Sequence, residues 1–579
     1  MTKRCLLGVL CFALGACAAG AGQSEPQPLP FEDTPEADTG VAGPKDLGPY
    51  VAARFASELK DPRAVDFYRH ALRQDPDEPG LINTTFTLAV IEGDMATAVA
   101  MAERLAPLEQ QHLMAQILYL VHQVKRGDER TALAVAAAID SNFFQRSIGP
   151  LIKAWIHARD GDQEAALAEV ETAALVRFNK HRAMAHEAFL LDYFGRDDEA
   201  EAAYQAVIDM PRGASADVVA AYGNLLLRQN QQQQAIDLYS RMKTTANDDR
   251  DLDRRLAAAR DGRALPVRSV SPAGGVARPL MHVATDLSRN GSLRPGIIFA
   301  RFAAYLDPDN HEAQLLLGHL LSREGRYEPA LQAYEPVLQA APEMANAARY
   351  GMAIALRESG RTEAAIAALR AHLDTEPDSP GTWVTLGDLH RQESGFDAAE
   401  AAYSQAIRLN EERGRDEWYP YFARAVAYEQ TDRWPEAEAD LKRAKAIKPD
   451  QADVLNYLGY SWIDRGVHLD KGMDLIEQAL ALEPGNGFII DSMGWAHYLT
   501  GNYSEAVRFL EEAIVEEPGD ATISDHLGDA YWQVGRHLEA RYQWEHALRL
   551  SEKDAQRADL REKLTFGLTV ARADKPDGR

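Results

Sequence analysis

Cysteine is almost absent from this chain of 579 residues, and its three cysteines, Cys5, Cys11 and Cys17, all lie in the first seventeen positions. A disulfide framework is therefore excluded for the body of the protein. The chain also lacks an HExxH zinc sequence, a glycine-rich phosphate loop and a nucleophile elbow. We therefore predict that the protein is not an enzyme and that it has no catalytic residue, no cofactor and no metal site.

Basic residues are scarce relative to acidic ones. The chain has 62 Lys and Arg against 88 Asp and Glu, which gives a formal net charge of −26. A chain this acidic repels phosphate groups, so nucleic acid is excluded as an expected partner and anionic lipid headgroups are disfavoured. The acidity favours solubility and would also attract a basic partner.

The apolar stretch at the N-terminus is too short to span a bilayer. It runs from Cys5 to Ala16, follows Lys3 and Arg4, and has the form of a secretory signal. Its end, Leu14-Gly15-Ala16-Cys17, resembles a bacterial lipobox, in which the cysteine becomes the first mature residue and is acylated. An ordinary secretory signal is the alternative. We expect residues 1–16 to be removed and Cys17 to carry a lipid anchor, with palmitate among its acyl chains.

The residues after the cysteine indicate where the anchor lies and how far it reaches. Ala18 follows Cys17 where Asp would favour the inner membrane, so the resemblance implies an outer-membrane lipoprotein that faces the periplasm of a bacterial cell envelope. Residues 17–44 are rich in proline, glycine and acid and poor in apolar side chains. Such a composition cannot bury enough surface to fold, so we predict a disordered tether.

A self-similar pattern fills the rest of the chain. The segments VLNYLGYSW, IIDSMGWAHY and ISDHLGDAYW align on Gly459, Gly494 and Gly528, which are 35 and 34 residues apart. A repeat of this length predicts an array of antiparallel helix pairs. We number each repeat so that the small residue of its first helix is position 8, the turn is position 15, the small residue of the second helix is position 20 and the terminating proline is position 32.

This register continues through the chain and resembles the tetratricopeptide repeat. Small residues hold position 8 at Ala284, Gly318, Ala353, Gly387 and Ala425, and turn glycines recur at Gly93, Gly127, Gly161 and Gly195. Positions 8 and 20 are expected to meet where two helices cross, since only small side chains allow a close approach there. The predicted fold class is therefore an all-α tetratricopeptide-repeat solenoid with about fourteen repeats in two blocks.

We expect about six degenerate repeats over 45–243, a connector over 244–276, and about eight repeats over 277–554. Within and beyond the connector, Arg250 to Arg260 fits a helix and Gly262 to Pro279 fits a loop. A solvated connector is one interpretation, and a segment that crosses the array and docks on it is the other. An insertion at Asn410–Trp418, four residues beyond the regular spacing, should lengthen a turn. Residues 555–579 are expected to form a capping helix and a tail.

The first helices should line the concave face, and their positions 2, 5, 9 and 12 should point into a groove. In the most regular repeats this face is aromatic and acidic, with no basic residue, which is typical of a peptide-binding groove. The alternative is that several aromatic side chains pack on the neighbouring repeat. The predicted partner-binding residues are Asn456, Tyr460, Asp491, Trp495, Tyr498, Asp525, Asp529 and Trp532.

Two other kinds of site are weighed against this groove. A carboxylate clamp needs Lys and Asn at positions such as 5 and 9, and these repeats have Asp491, Trp495, Asp525 and Asp529 there. An acidic groove should prefer a basic or polar peptide or a basic protein face. His526 and the nearby aspartates resemble parts of a hydrolase or metal site, but His526 is at position 6, which should face the packed side.

The segments VLNYLGYSW, DSMGWAHYLTGNYSEAV and DHLGDAYWQVGRHLEA resemble a family of long proteobacterial tetratricopeptide lipoproteins. That family includes the outer-membrane lipoprotein partner of a periplasmic carboxyl-terminal processing protease, which presents peptidoglycan hydrolases for degradation. The resemblance implies a membrane-anchored periplasmic adaptor whose protein partners are such a protease and such hydrolases. A scaffold for outer-membrane assembly or polysaccharide export is the alternative function.

Overall fold

The computed structural model describes residues 47–568 except 107–111, 178, 211–213, 244–249 and 268–269. Across these residues the chain forms thirty α-helices and one short π-helix at Phe144–Ile148, and it forms no strand. The predicted all-α class is confirmed. The signal segment 1–16, Cys17, the tether 17–44 and the tail from 569 onward lie outside the described residues.

Two compact units divide between Pro377 and Asp378. The helices of the first unit are α1 Gly48–Glu58, α2 Ala64–Gln74, α3 Pro79–Glu92, α4 Met95–Leu105, α5 Leu113–Arg126, α6 Glu129–Ala138, α7 Gly149–Asp160, α8 Gln163–Ala174, α9 Lys180–Tyr193, α10 Asp197–Ile208, α11 Ala216–Arg228, α12 Gln232–Lys243, α13 Arg250–Arg260, α14 Pro272–Arg289, α15 Leu293–Leu306, α16 His311–Arg323, α17 Tyr327–Ala340, α18 Ala345–Glu358 and α19 Thr362–Leu373.

The second unit continues the same pattern. Its helices are α20 Pro380–Gln392, α21 Phe396–Glu412, α22 Trp418–Gln430, α23 Trp434–Ile447, α24 Ala452–Asp464, α25 Leu469–Leu482, α26 Gly487–Leu499, α27 Tyr503–Glu516, α28 Ala521–Gln533, α29 His537–Leu550 and α30 Asp554–Phe566. Over both units the described helices make fourteen consecutive pairs, six from α1 to α12 and eight from α14 to α29. This number agrees with the expected number of repeats.

Tight turns join the two helices of a pair. Gly93, Gly127 and Gly161 follow first helices with φ angles of 90°, 76° and 84°. A side chain is disfavoured in this left-handed region, which explains why glycine recurs at position 15.

The small residue at position 8 allows two helix backbones to approach in some pairs, and in others it makes room for an aromatic ring. A Cβ atom on Gly459 would lie 2.7 Å from the carbonyl oxygen of Gly472, which is the small-on-small crossing that the sequence predicts. In other pairs the space is filled by a ring sixteen residues later. The Tyr334 ring, for example, lies 2.5 Å from where a Cβ atom of Gly318 would be. The same glycine–ring contact joins Gly223 to Tyr239, Gly387 to Tyr403 and Gly528 to Trp544.

Two predicted loops are partly helical, which corrects the sequence interpretation. The segment predicted as a loop from Gly262 to Pro279 enters α14 at Pro272, where the Ser271 side chain accepts a hydrogen bond from the backbone of Gly274. Proline fits the first turn of a helix because its missing N–H has no partner there anyway. The extra residues Asn410–Trp418 do not only lengthen a turn, since α21 continues to Glu412. The predicted helix Arg250–Arg260 is present as α13.

The start of α14 docks on the first block instead of connecting two blocks as a solvated linker. α14 packs on α7, and α15 packs on α3 and α5. These five helices therefore share one core within the first unit. The expected division at the connector 244–276 is not where the compact units divide, because α14 to α19 belong with the first block.

The last described helix, α30, takes the place that the first helix of a fifteenth repeat would have. It packs on α29 and buries Leu560 and Lys563, while its remaining surface is mostly polar, with Phe566 as its one exposed large apolar side chain. A terminal helix of this kind closes the stack with a polar outer face.

Candidate functional site

The C-terminal face, defined here as the first-helix side of α24, α26, α28 and α30, contains every residue predicted to bind a partner. Half of these residues are buried, at 2–3% exposure: Asn456, Tyr460, Asp491 and Asp529. The others are half-buried: Trp495, Tyr498, Asp525 and Trp532. The expected exposure of the whole set is therefore wrong for the first four, which pack against neighbouring repeats. These four residues occupy helix position 5 or 9, where adjacent first helices lie side by side, whereas Trp495 and Asp525 at the same positions stay partly accessible.

A buried hydrogen bond joins α26 to α28 through side chains 35 residues apart. The Nδ1 atom of His526 lies 2.9 Å from a carboxylate oxygen of Asp491, and both residues are 2% exposed. His526 faces the packed side, as its repeat position predicts. A buried aspartate–histidine pair of this kind fixes the register of two repeats, since breaking it would leave a buried polar group unpaired.

Three stacked rings extend from this pair toward the surface. The Trp495 ring lies 3.9 Å from the His526 ring at an angle of 13°, and 4.5 Å from the Tyr498 ring at 8°. Burial, with the nearby Asp529 carboxylate, raises the pKa of Tyr498 to about 12, so its hydroxyl is neutral at physiological pH. The stack gives α26 a rigid aromatic surface that is only partly covered, which is the kind of surface that anchors a protein partner.

A lysine from α30 neutralises the acidic end of the C-terminal face. The Nζ atom of Lys563 lies 2.5 Å from Asp525 and 2.9 Å from Asp529, and Trp544 donates a 2.9 Å hydrogen bond to Asp529. Burial raises the pKa of Asp529 to about 6, although Lys563 opposes the shift. Burial alone would lower the pKa of Lys563, but the two carboxylates outweigh it and raise this pKa.

Other acids on the first helices of the second unit are also bound within the protein. Asp388 accepts hydrogen bonds from the hydroxyls of Tyr403 at 2.7 Å and Tyr419 at 2.8 Å. Glu429 accepts one from the hydroxyl of Tyr457 and pairs with Arg465 at 2.7 Å. The prediction of an acidic groove without a basic residue therefore needs correction, since these carboxylates link neighbouring helices and are not free to attract a basic peptide.

The half-buried aromatic side chains remain as the accessible part of the C-terminal face. Trp532 stacks on His537, with ring centres 4.2 Å apart, and lies against Gly567 just beyond α30. The Trp495 ring also stacks on His526 of α28, and the Trp532 ring lies 5.3 Å from the Trp544 ring of α29, so both indoles are held by a neighbouring helix. Aromatic side chains held in this way lose little conformational freedom on binding.

The first block differs, because its first helices are covered by the chain itself. The Arg301 guanidinium of α15 donates to the carbonyl oxygens of Val90 and Ile91 at the end of α3, both at 3.1 Å. In α14, Arg278 is buried beside Asp217 and lies 4.7 Å from the centre of the Phe189 ring in α9. The inner side of α3, α5, α7 and α9 is thus filled by α14 and α15.

Sequence reasoning missed Lys563 and the docking of α14. Lys563 lies 34 residues after Asp529, one repeat length, so the repeat numbering extended past the last pair would have placed it beside this carboxylate. For α14, the adjacent Gly274 and Gly275 were a signal, since paired glycines in a helix point to close packing against another element.

A metal-binding cluster and a membrane-spanning helix are both absent from the part of the chain that the structure describes. No three His, Cys, Asp or Glu side chains there are grouped so that they could hold a metal ion. No helix within the same residues is both long and apolar enough to cross a membrane.

Models of the tetratricopeptide repeat family match residues 190–250, 321–386, 384–452 and 492–556. The chain carries tetratricopeptide repeats. Their matched segments lie in both units, and these repeats are typical of scaffolds for protein–protein interaction. Over 117 residues the chain is 33% identical to a tetratricopeptide repeat-containing protein of Pseudomonas aeruginosa, a match that covers 20% of each chain. The chain thus spans about a fifth of the length of this curated relative.

Several solved structures are similar at low sequence identity. The Cut9–Hcn1 assembly of the APC/C covers 90% of this chain and 96% of its own at 15% identity, with a TM-score of 0.37. Yeast Tom70 covers 78% of this chain and 94% of its own at 12% identity, with a TM-score of 0.33. MamA covers 30% of this chain and 93% of its own at 22% identity, with a TM-score of 0.27.

Proposed function

We propose that this tetratricopeptide-repeat protein is an adaptor that binds a protein partner through the C-terminal face. The observation that carries the proposal is the difference between the two units. In the first unit, α14 and α15 cover the inner side of the first helices. In the second unit, the aromatic stack of Trp495 and Tyr498 and the nearby Trp532 stay partly open.

The chemistry of the C-terminal face favours a partner recognised by apolar and aromatic contact. The carboxylates of Asp491 and Asp529 are bound to His526 and Lys563, so they contribute little attraction toward a basic peptide. Rigid indole and phenol rings supply apolar area and polar edges at small entropic cost. We therefore expect a segment with exposed apolar side chains to bind across α26 and α28.

More specifically, we propose that the protein is a periplasmic adaptor for a carboxyl-terminal processing protease. The adaptor would hold peptidoglycan hydrolases near the protease. Support comes from the repeats and from the resemblance of VLNYLGYSW and DSMGWAHYLTGNYSEAV to the lipoprotein family that acts in this way. In this role Cys17 would carry the lipid that holds the adaptor at the outer membrane, on its periplasmic side.

Capture of partners from envelope extracts tests the role. Full-length chain should recover a carboxyl-terminal processing protease, and the separate variants Trp495→Ala and Trp532→Ala should recover at least about tenfold less, the loss expected when a central aromatic contact is removed. Val515→Ala is the matched control, because Val515 is 74% exposed on the second helix α27. Circular dichroism shows that each variant is folded. Recovery of export or assembly proteins alone would refute the protease role and support the alternative scaffold.

Fractionation of cells tests the anchor separately. Cys17→Ser removes the thiol that acylation needs, so the variant should leave the outer-membrane fraction and lose labelling by radioactive palmitate. The wild-type chain, expressed at the same level, is the control. Full membrane retention of the serine variant would show that Cys17 does not anchor the protein.

A further inference from the structure

Helix α1 and its two cap residues, Leu47 and Leu59, carry an apolar stripe that faces solvent. Leu47, Val51, Phe55 and Leu59 are exposed by 63%, 61%, 63% and 64%, and each follows the previous one by four residues. This spacing places all four on one side of the helix. The opposite side, with Ala53 and Ala56, is buried in the first unit. A contiguous apolar surface of this kind on a folded protein marks an interaction site.

The stripe occupies the position where a preceding repeat would pack. Later first helices such as α3, α5 and α9 each contact the second helix of the repeat before them. No described helix precedes α1. The last described helix, α30, differs, because it exposes charged side chains such as Arg561 and Glu562 and only one large apolar side chain, Phe566, at its end. Of the two terminal helices of the described chain, α1 therefore carries a row of exposed apolar side chains, and α30 is mostly polar.

We propose that a second copy of this chain covers the stripe, through antiparallel packing of two α1 helices about a two-fold axis. With the axis between Val51 and Phe55, Val51 of one copy faces Phe55 of the other, and Leu47 faces Leu59. The bulky ring is thus matched with the smaller valine. Residues spaced by four form the ridge that most often interlocks between packed helices.

The charges beside the stripe favour protein over lipid. Arg54 and Glu58 lie next to it and form an ion pair of 3.6 Å, so this surface carries one charge of each sign. A helix that lies on an anionic membrane needs surplus Lys or Arg around its apolar side. α1 has no such surplus, and the chain as a whole has a net charge of −26.

The apolar area of the stripe is large enough for a small dimer interface. With Tyr50 at 37% exposure beside it, the stripe offers apolar area on the order of 500 Å². Two copies would bury on the order of 1,000 Å² together, near the lower limit for a specific interface. Because α30 exposes a single large apolar side chain, Phe566, it offers no matching apolar row for head-to-tail stacking. A closed two-fold pair is the arrangement that remains.

Co-purification of two differently tagged full-length copies tests the dimer. The wild-type copies should co-purify, while copies that both carry Val51→Glu and Phe55→Glu, or both carry Val51→Lys and Phe55→Lys, should do so at least about tenfold less because like charges meet. One glutamate copy with one lysine copy should restore the signal, since the antiparallel arrangement brings opposite charges together. All copies share the same N-terminal segment, so association through that segment is unchanged.

Val515→Glu in both copies is the control, because it adds a charge at an exposed apolar side chain of α27, in the second unit, and should keep the wild-type signal. Restoration by the mixed pair also shows that the charged variants fold. Persistent co-purification of like-charged copies would overturn the proposal, and so would failure of the mixed pair. Wild-type copies that stay separate would overturn the proposal too. Binding assays with lipid vesicles and with a peptide of residues 17–46 would then show which of these occupies the exposed stripe instead.

Discussion

Gly275 of α14 lies against the indole ring of Trp155 in α7, so closely that a Cβ atom at Gly275 would come within 2.0 Å of the ring. Trp155 is fully buried, and its Nε1 donates a 2.8 Å hydrogen bond to Nδ1 of His186. The contact joins residues 120 positions apart in the chain. It anchors α14 on the inner side of the first block, which leaves that side unavailable to a partner.

Gly275→Ala should destabilise the first unit. The added methyl group overlaps Trp155, and overpacking of a filled core costs about 1–3 kcal/mol, more than the roughly 1 kcal/mol that alanine gains over glycine in a helix. Thermal unfolding and hydrogen exchange in α7 and α14 measure the effect. The matched control is Gly381→Ala in the first turn of α20, where a Cβ atom would meet nothing within 4 Å. Equal stability of the two variants would show that α14 can shift away from Trp155 without loss.

Acid should destabilise the same region, because the buried His186 and the half-buried His282 there stay neutral. Nδ1 of His186 accepts the hydrogen bond from Trp155, so this ring is unprotonated at that atom. Burial lowers the pKa of His186 well below its ordinary value of 6.5, and the positive charges of Arg278 and Arg182 add to the effect. Burial likewise lowers the pKa of His282 to about 3, with Arg278 and Arg182 contributing.

The direction of the pH effect depends on whether the folded or the unfolded chain binds more protons. Below pH 6.5 the unfolded chain protonates these histidines while the folded chain does not. The free energy of unfolding is therefore highest above pH 6.5 and decreases as the pH falls. The loss is about 1.4 kcal/mol per histidine for each pH unit. Hydrogen exchange in α9 and α14 between pH 7 and 5, corrected for intrinsic rates, should show this loss. His282→Phe should remove about half of the dependence, and protection independent of pH would contradict the prediction.

Lys563→Met should release α30 from the C-terminal face. The variant leaves the buried carboxylate of Asp529 without its ammonium partner, and breaking one side of a buried ion pair costs about 3–5 kcal/mol. Hydrogen exchange in α30 should rise sharply. Adding Asp529→Asn should recover part of the loss because the buried charge is then removed. Lys553→Met, at an exposed lysine just before α30, is the control and should change little. Unaltered protection of α30 in the Lys563 variant would show that apolar contacts alone hold it.

The repeat architecture could be predicted because its determinants are local and periodic. Gly459, Gly494 and Gly528 recur at spacings of 35 and 34 residues, and a small residue at position 8 recurs even though its contact differs from pair to pair. The contact between Gly275 and Trp155 has no period, since it depends on the chain returning to a distant helix. The repeat numbering therefore gave no account of it.

The candidate site was predictable in position but not in exposure. Repeat numbering places Asp491 and Trp495 on the first-helix side, where both lie. Repeat numbering does not predict which side chains cover these residues, because the sequence does not distinguish a buried carboxylate from a solvated one. The bond from Asp491 to His526 spans one repeat, so an acid and a histidine offset by one repeat were a readable signal of pairing.

The pair of Asp491 and His526 should couple two repeats energetically. Asp491→Ala removes the carboxylate that binds His526, and His526→Ala leaves the aspartate buried without its imidazole, so each should cost about 1–3 kcal/mol. The double variant should cost less than the two losses added, with a coupling of about 0.5–3 kcal/mol. Hydrogen exchange in α26 and α28 supplies the free energies. The exposed pair of Glu505 and Arg508 on α27, 2.8 Å apart, is the matched control and should give nearly additive losses. A coupling no larger than in that control would contradict the prediction, because the buried pair would then hold the repeats together no better than a solvated one.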